Sequence, residues 1–160
     1  MATPSKQVIE ALRNTAERLK NGAEYKWTHM GSCNCGHLAQ TITTLPKSKI
    51  HAYALEKEGD WKEKSIDFCP QSGYPIDHII SAILEIGFTT DDIRHLERLS
   101  SPRILKRIPK SLRPLNHKDR DAVIVYLNTW ADMLEEQIPP IVDTVEAEEP
   151  LIPLLETELV

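Results

Sequence analysis

Aromatic residues are scarce in this 160-residue chain, at 6%, so its core must be filled mainly by aliphatic side chains. Long apolar runs are missing altogether: no stretch approaches the roughly 18 uninterrupted apolar residues of a membrane-spanning helix. The amino-terminal stretch, MATPSKQVIEALRNTAERLK, is polar and charged, and it offers no run of the kind a secretory signal needs. Cysteine is also rare. There are three, an odd number, and two of them stand one residue apart, which is not the paired, spaced set of a secreted disulfide framework. Together these absences point to a cytoplasmic protein without a membrane segment, whose thiols are reduced or bound to metal.

What is present reads as globular. Hydrophobic residues make up 41% of the chain and charged residues 27%, and the length suits one domain with a sizeable core. The formal net charge of −5 is unevenly placed. Residues 139–160 hold six acidic side chains and no Lys or Arg, so the remainder carries +1. The expected organisation is a helical domain over residues 1–138 followed by an acidic, Pro-containing carboxy-terminal tail over 139–160.

Apolar periodicity defines the helices. Thr3 and Pro4 resemble an N-cap and first-turn pair, followed by Val8, Ile9, Leu12, Ala16 and Leu19 at helical spacing, with Gly22 as a stop. A second helix is expected from about residue 35 to 44, capped by Ser32 or Asn34 and ended by Pro46. A third follows from Ser48 to the Gly59 region. Pro75 opens a strong stripe of Ile76, Ile79, Ile80, Ile83 and Leu84 that Gly87 closes. Thr89 and Asp92 have capping-box spacing ahead of Ile93, Leu96 and Leu99. Ser101 and Pro102 open a short helix. Asn116 is the expected cap of the longest one, in which Val123, Leu127, Trp130, Leu134 and Ile138 recur at three- and four-residue steps, a natural central strut. Tyr25, Trp27 and His29 alternate, as do Ile66 and Phe68, which suggests two short extended segments pairing as a small ribbon. The fold class is therefore mainly α: a single-domain bundle of about six helices, a small two-stranded ribbon and the tail.

The chemically dense stretch is WTHMGSCNCGHLAQ, residues 27–40. His29, Cys33, Cys35 and His37 fall within nine residues, and Cys69 is a further donor from elsewhere. Thiolate and imidazole together suit zinc, which takes about four such ligands. Side chains at i, i+2 and i+4 of an extended segment share one side, so Cys33, Cys35 and His37 converge if the backbone stays extended through Gly36. Gly31 and Gly36 would let it wrap an ion. Against this, structural zinc sites usually space their cysteines by two residues or more, in two separated pairs.

Two other readings stand beside zinc. A helix beginning at Cys35 would place that thiol where amide groups and the helix dipole favour a thiolate. That makes Cys35 or Cys33 a candidate nucleophile or redox thiol, with His29, His78 or His95 as base and Asp67 or Asp77 to orient it. A strained Cys33–Cys35 disulfide is a further variant. Alternatively the cysteines are small buried hydrophobes, and the chain is a protein-interaction module.

Charge supports the last idea. Residues 94–120 hold nine Lys or Arg against Glu97 and Asp119, a balance of +7. The segment lacks aromatics for base stacking and the whole chain is acidic, so nucleic acid is not the expected partner. The tail combines its six carboxylates with Ile141, Val142, Val145, Leu151, Ile152, Leu154 and Leu155, too apolar for a solvating tail. It is expected to dock on the basic segment of its own or a neighbouring subunit, the latter giving a homo-oligomer.

Overall fold

The computed structural model describes residues 1–139. The docking tail foreseen from the sequence lies outside the described residues. Eight α-helices and one 3-10 turn follow one another: α1 (Lys6–Lys20), α2 (Asn34–Thr43), α3 (Lys47–Ala54), α4 (Trp61–Ile66), α5 (Pro75–Ile86), α6 (Thr90–Arg98), α7 (Pro102–Leu105), the turn Lys110–Leu112, and α8 (Arg120–Glu135). No helix among the described residues is long and apolar enough to cross a membrane.

The long helices form where their periodicity says. α1 buries Val8, Ile9, Ala11, Leu12, Thr15, Ala16 and Leu19 on one face, and α8 buries Val123, Tyr126, Leu127, Trp130 and Leu134. Those faces pack against each other in the most extensive helix–helix contact of the fold. Each fully buried aliphatic side chain contributes about 1.5–3 kcal/mol of transfer free energy. Three aromatic side chains meet at this contact. Phe88 meets the Trp130 ring edge-on at 5.6 Å, and Tyr126 does so at 6.1 Å.

α8 is not the central strut. It lies at one side with α1 and α7, whereas the ten-residue α2 touches α1, α3, α5 and α6. Residues 34–39, the first part of α2, are all buried. The element carrying the cysteines is thus the hub around which the other helices are arranged. Its first turn can be swallowed whole because it holds small or neutral side chains and no carboxylate.

The expected ribbon does not form, and no strand occurs among the described residues. Where its second arm was expected, α4 ends at Ile66 and residues 67–69 follow without regular structure. Asp60 accepts from the Glu63 amide at 2.9 Å and Glu63 returns a bond to the Asp60 amide at 3.0 Å, a complete capping box that nucleates α4. The apparent alternation of Ile66 and Phe68 arises at the helix end, where Ile66 is exposed. The bundle correspondingly has more helices than the six expected, because the 47–70 region and the stretch after α6 each break into short pieces.

Several caps fall a few residues from their expected positions. Ser5, not Thr3, caps α1; Pro46 precedes α3; Asp119, not Asn116, caps α8. The Thr89–Asp92 box forms as its spacing requires.

Candidate functional site

The loop over residues 21–33 and the first turn of α2 form one tightly tied unit. Cys33 is the N-cap of α2: its Sγ accepts from the Gly36 amide at 3.4 Å, and its thiol is directed at the Met30 carbonyl at 3.7 Å. Asn34 follows, fully buried. Its Nδ2 donates to the carbonyls of Leu96 at 2.7 Å and Glu97 at 2.9 Å, and its Oδ1 accepts from the Cys35 amide. That one amide closes the open end of α6 onto the start of α2. The Cys35 thiol points elsewhere, at the Ile93 carbonyl 3.5 Å away inside α6.

His37 is buried, and its Nε2 lies 2.7 Å from the Glu24 carbonyl. A carbonyl can only accept, so Nε2 carries the proton and Nδ1 is bare. Among the described residues Nδ1 has no partner, nor does the buried Ser32 hydroxyl. Burial lowers the His37 pKa and keeps the ring neutral.

His29 takes a different direction. Its Nδ1 accepts from the Gly31 amide at 3.1 Å, while Nδ1 of His51 accepts from the Met30 amide at 3.0 Å. The two rings stack at 4.0 Å and 17°. Burial, with the facing His51 next, lowers the His29 pKa. The Met30 carbonyl also receives the Trp61 indole at 3.0 Å, and the Gly31 carbonyl receives Gln40 at 2.6 Å.

Gly31 and Gly36 are required by this crowding rather than by an ion. A Cβ on Gly31 would fall on the Lys47 carbonyl, and one on Gly36 would fall on the Met30 carbonyl and the Gly31 backbone. Three backbone segments meet here at distances only glycine allows.

The candidate ligands are therefore near in sequence without sharing a focus. Helix from residue 34 onward replaces the extended path that would have put Cys33, Cys35 and His37 on one side. Cys33 faces Met30, Cys35 faces Ile93, His37 faces Glu24, and Cys69 is exposed in the turn after α4. Among the described residues no three His, Cys, Asp or Glu side chains are grouped to hold a metal ion.

Burial opposes ionisation of both cysteine thiols. Cys33 receives the first-turn amide that should favour a thiolate, but complete burial outweighs it and pushes the thiol up to about 12. Burial, and then the neighbouring Cys33, raise Cys35 well above its ordinary value. Both are free thiols. Of the helper residues considered for a thiol enzyme, His95 bonds the Ser100 hydroxyl at 2.9 Å, and Asp77 takes Ser72 and Lys57.

Two buried features were not singled out from the sequence. Lys64 is 1% exposed, and its ammonium donates to the carbonyls of Lys57, Glu58 and Gly59 at 2.7, 3.2 and 2.8 Å, satisfying a turn that helices leave open. Glu97, 4% exposed, accepts from the Lys62 amide and sits beside Asp60. Burial, reinforced by the Asp60 charge, pushes the Glu97 carboxyl up to about 7. Burial opposes the charge on Asp60 as well, but the Glu63 amide and the bond to Glu97 hold that carboxyl below its usual range. The Asp60–Glu63 spacing was a visible signal. The meeting of Asp60 with Glu97, or of His29 with His51, had none.

On the surface, the basic segment is shaped into an apolar cleft of about 510 Å³ lined by Leu99, Leu105, Lys110, Arg113, Pro114 and Leu115. Leu112 beside it is 49% exposed. A second depression, of about 470 Å³, joins Arg103, Lys106 and Arg107 to Met133, Glu136 and Gln137 at the end of α8. Among the described residues, Arg107 pairs with Glu136, while Arg103, Lys106, Lys110 and Arg113 have no carboxylate within ion-pair distance.

Comparison with protein-family models, with curated proteins and with solved structures gives no match for this chain.

Proposed function

We propose that the chain is a protein-interaction module in which Cys33, Cys35 and His37 serve the fold and the cation-rimmed cleft takes an acidic, leucine-rich segment. The observation that carries this reading is the cleft itself. Leu99, Leu105, Pro114 and Leu115 offer an apolar floor, and Lys110 and Arg113 stand at its margin. Apolar side chains flanked by carboxylates match that surface in both hydrophobicity and sign. Residues 139–160 of a neighbouring copy have this character and would make a homo-oligomer; a segment of another protein with the same chemistry would fit equally.

The buried site supports the same reading. Zinc binding through His29, Cys33, Cys35, His37 and Cys69 would require Cys33 and Cys35 to leave the Met30 and Ile93 carbonyls and turn toward a common point. Thiol catalysis would require a thiolate in a setting that opposes one.

The test joins three measurements on the full chain, purified without an affinity tag. Elemental analysis is expected to find no stoichiometric metal. Thiol labelling is expected to find the exposed Cys69 accessible in the folded protein, with the buried Cys33 and Cys35 protected until unfolding. A labelled synthetic peptide of residues 139–160 is expected to bind, at least 10-fold more weakly when the protein carries Lys110→Glu and Arg113→Glu. About one zinc per chain, lost in Cys33→Ser but kept in Cys69→Ser, would overturn the reading in favour of a metal centre. A thiolate at Cys33 or Cys35 below pH 8 would overturn it in favour of an enzyme.

A further inference from the structure

We propose that the cleft is occupied in the resting protein by the chain's own carboxy-terminal segment, with Leu151, Ile152, Leu154 and Leu155 seated on its apolar floor. The inference rests on the cleft reading above and adds the occupant and its consequence: partner binding is autoinhibited. Three observations carry it.

The first is position. The described chain ends at residue 139, just beyond Glu136 and Gln137, which share a depression with Arg103, Lys106 and Arg107. The short helix α7 carries Arg103 toward that depression and Leu105 toward the cleft. One short helix, α7, thus borders both the end of α8 and the cleft.

The second is length. Leu151 lies twelve residues beyond position 139, and at ~3.3 Å per extended residue the chain between them reaches about 40 Å, ample to pass from the end of α8 to the cleft. A tether so short holds its own segment near the cleft at an effective concentration on the order of millimolar. A second copy must exceed that concentration to displace it.

The third is charge. The segment's leucine group is flanked by Glu146, Glu148 and Glu149 on one side and by Glu156 and Glu158 on the other. The surface offers Arg103 and Lys106 beside the end of α8, and Lys110 and Arg113 among the apolar side chains of the cleft, so the two are complementary in sign and in apolar character.

The experiment compares the wild-type full chain with a full chain carrying Leu151→Asp and Leu154→Asp. Each is titrated with the labelled synthetic peptide of residues 139–160, with mass followed by light scattering and backbone exchange followed over residues 99–115. The expected result has four parts. Wild type is a monomer. The peptide binds the double variant at least 10-fold more tightly than it binds wild type. Exchange over 99–115 is at least 10-fold faster in the variant, and exchange in α1 and α8 is unchanged. Equal peptide affinity for both proteins would overturn the intramolecular occupant while leaving the cleft reading intact. A wild-type dimer that the double variant dissolves would assign the occupant to a second copy and likewise overturn it. No binding to either protein would sink the cleft reading and the inference together.

Discussion

Replacing Glu97 by Gln should stabilise the protein, and by an amount that depends on pH. The carboxyl is almost wholly buried, and burial together with Asp60 raises it from an ordinary 4.5 to about 7. A carboxyl whose pKa is higher folded than unfolded stabilises the native state fully below pH 4.5, and that contribution drains away as pH rises to 7. One pKa unit is worth about 1.4 kcal/mol, so the full difference of about 2.5 units amounts to about 3 kcal/mol at pH 8. At pH 5 the unfolded carboxyl is already mostly ionised, and the difference there is about 1 kcal/mol. Gln keeps an oxygen for the Lys62 amide and offers Asp60 a neutral donor, so the native contacts survive. Urea unfolding of wild type and Glu97→Gln should therefore show an advantage for the variant that grows by about 2 kcal/mol between pH 5 and pH 8. A constant difference across that range, or a variant weaker at pH 8, would refute the assignment of Glu97 as a buried, proton-holding group.

Other outcomes follow from the same contacts. Asn34→Ala removes the amide donor of the Glu97 carbonyl and leaves the Leu96 carbonyl with the Leu99 amide at 3.3 Å, and should cost about 1–3 kcal/mol in denaturant unfolding. Gly36→Ala forces a Cβ against the Met30 carbonyl and should fail to give a native near-ultraviolet circular dichroism spectrum, whereas Cys33→Ser, which keeps an N-cap acceptor, should retain it. His29 and His37 have lowered pKa values, so the stability they confer is present above the ordinary histidine range and lost as pH falls through it. In His29→Phe or His37→Gln, the loss of melting temperature between pH 7 and pH 5 should be smaller than in wild type.

The sequence made the long helices legible because their apolar stripes coincide with faces that are in fact buried, as at Ile76, Ile79, Ile80 and Ile83. Stops were legible too: Gly22 and Gly87 take positive φ values beyond the ends of α1 and α5. What was not legible lay in long-range meetings. Asn34 finds its carbonyls 62 and 63 residues away, and nothing in its neighbourhood announces them. Cys33 as an N-cap went unforeseen because Ser32 and Asn34 on either side are the stronger cap formers. The Cys/His stretch was rightly picked out as dense. Density in sequence became divergence in space because the helix begins at Asn34 and turns successive donors to different sides. The α4 helix shows the reverse error, in which a two-residue alternation drew attention from a capping box standing in plain view at Asp60 and Glu63.

The loop before α2 also bears on the order in which the molecule is assembled. It has no repeating backbone pattern, and its anchors come from far along the chain: Tyr25 reaches the His117 carbonyl 92 residues on, and Trp27 lies against the His117 ring. Trp61 and His51 grip the Met30 peptide from two further helices. Such a loop cannot close until those helices have docked, since the entropy of its long closures is recovered only from contacts made together. It is the clasp fastened last. Substitutions at Tyr25, Met30 or Trp61 should accordingly hasten unfolding and leave the rate of folding nearly untouched, so that the same residues that fix the buried hub also set how long the folded molecule survives.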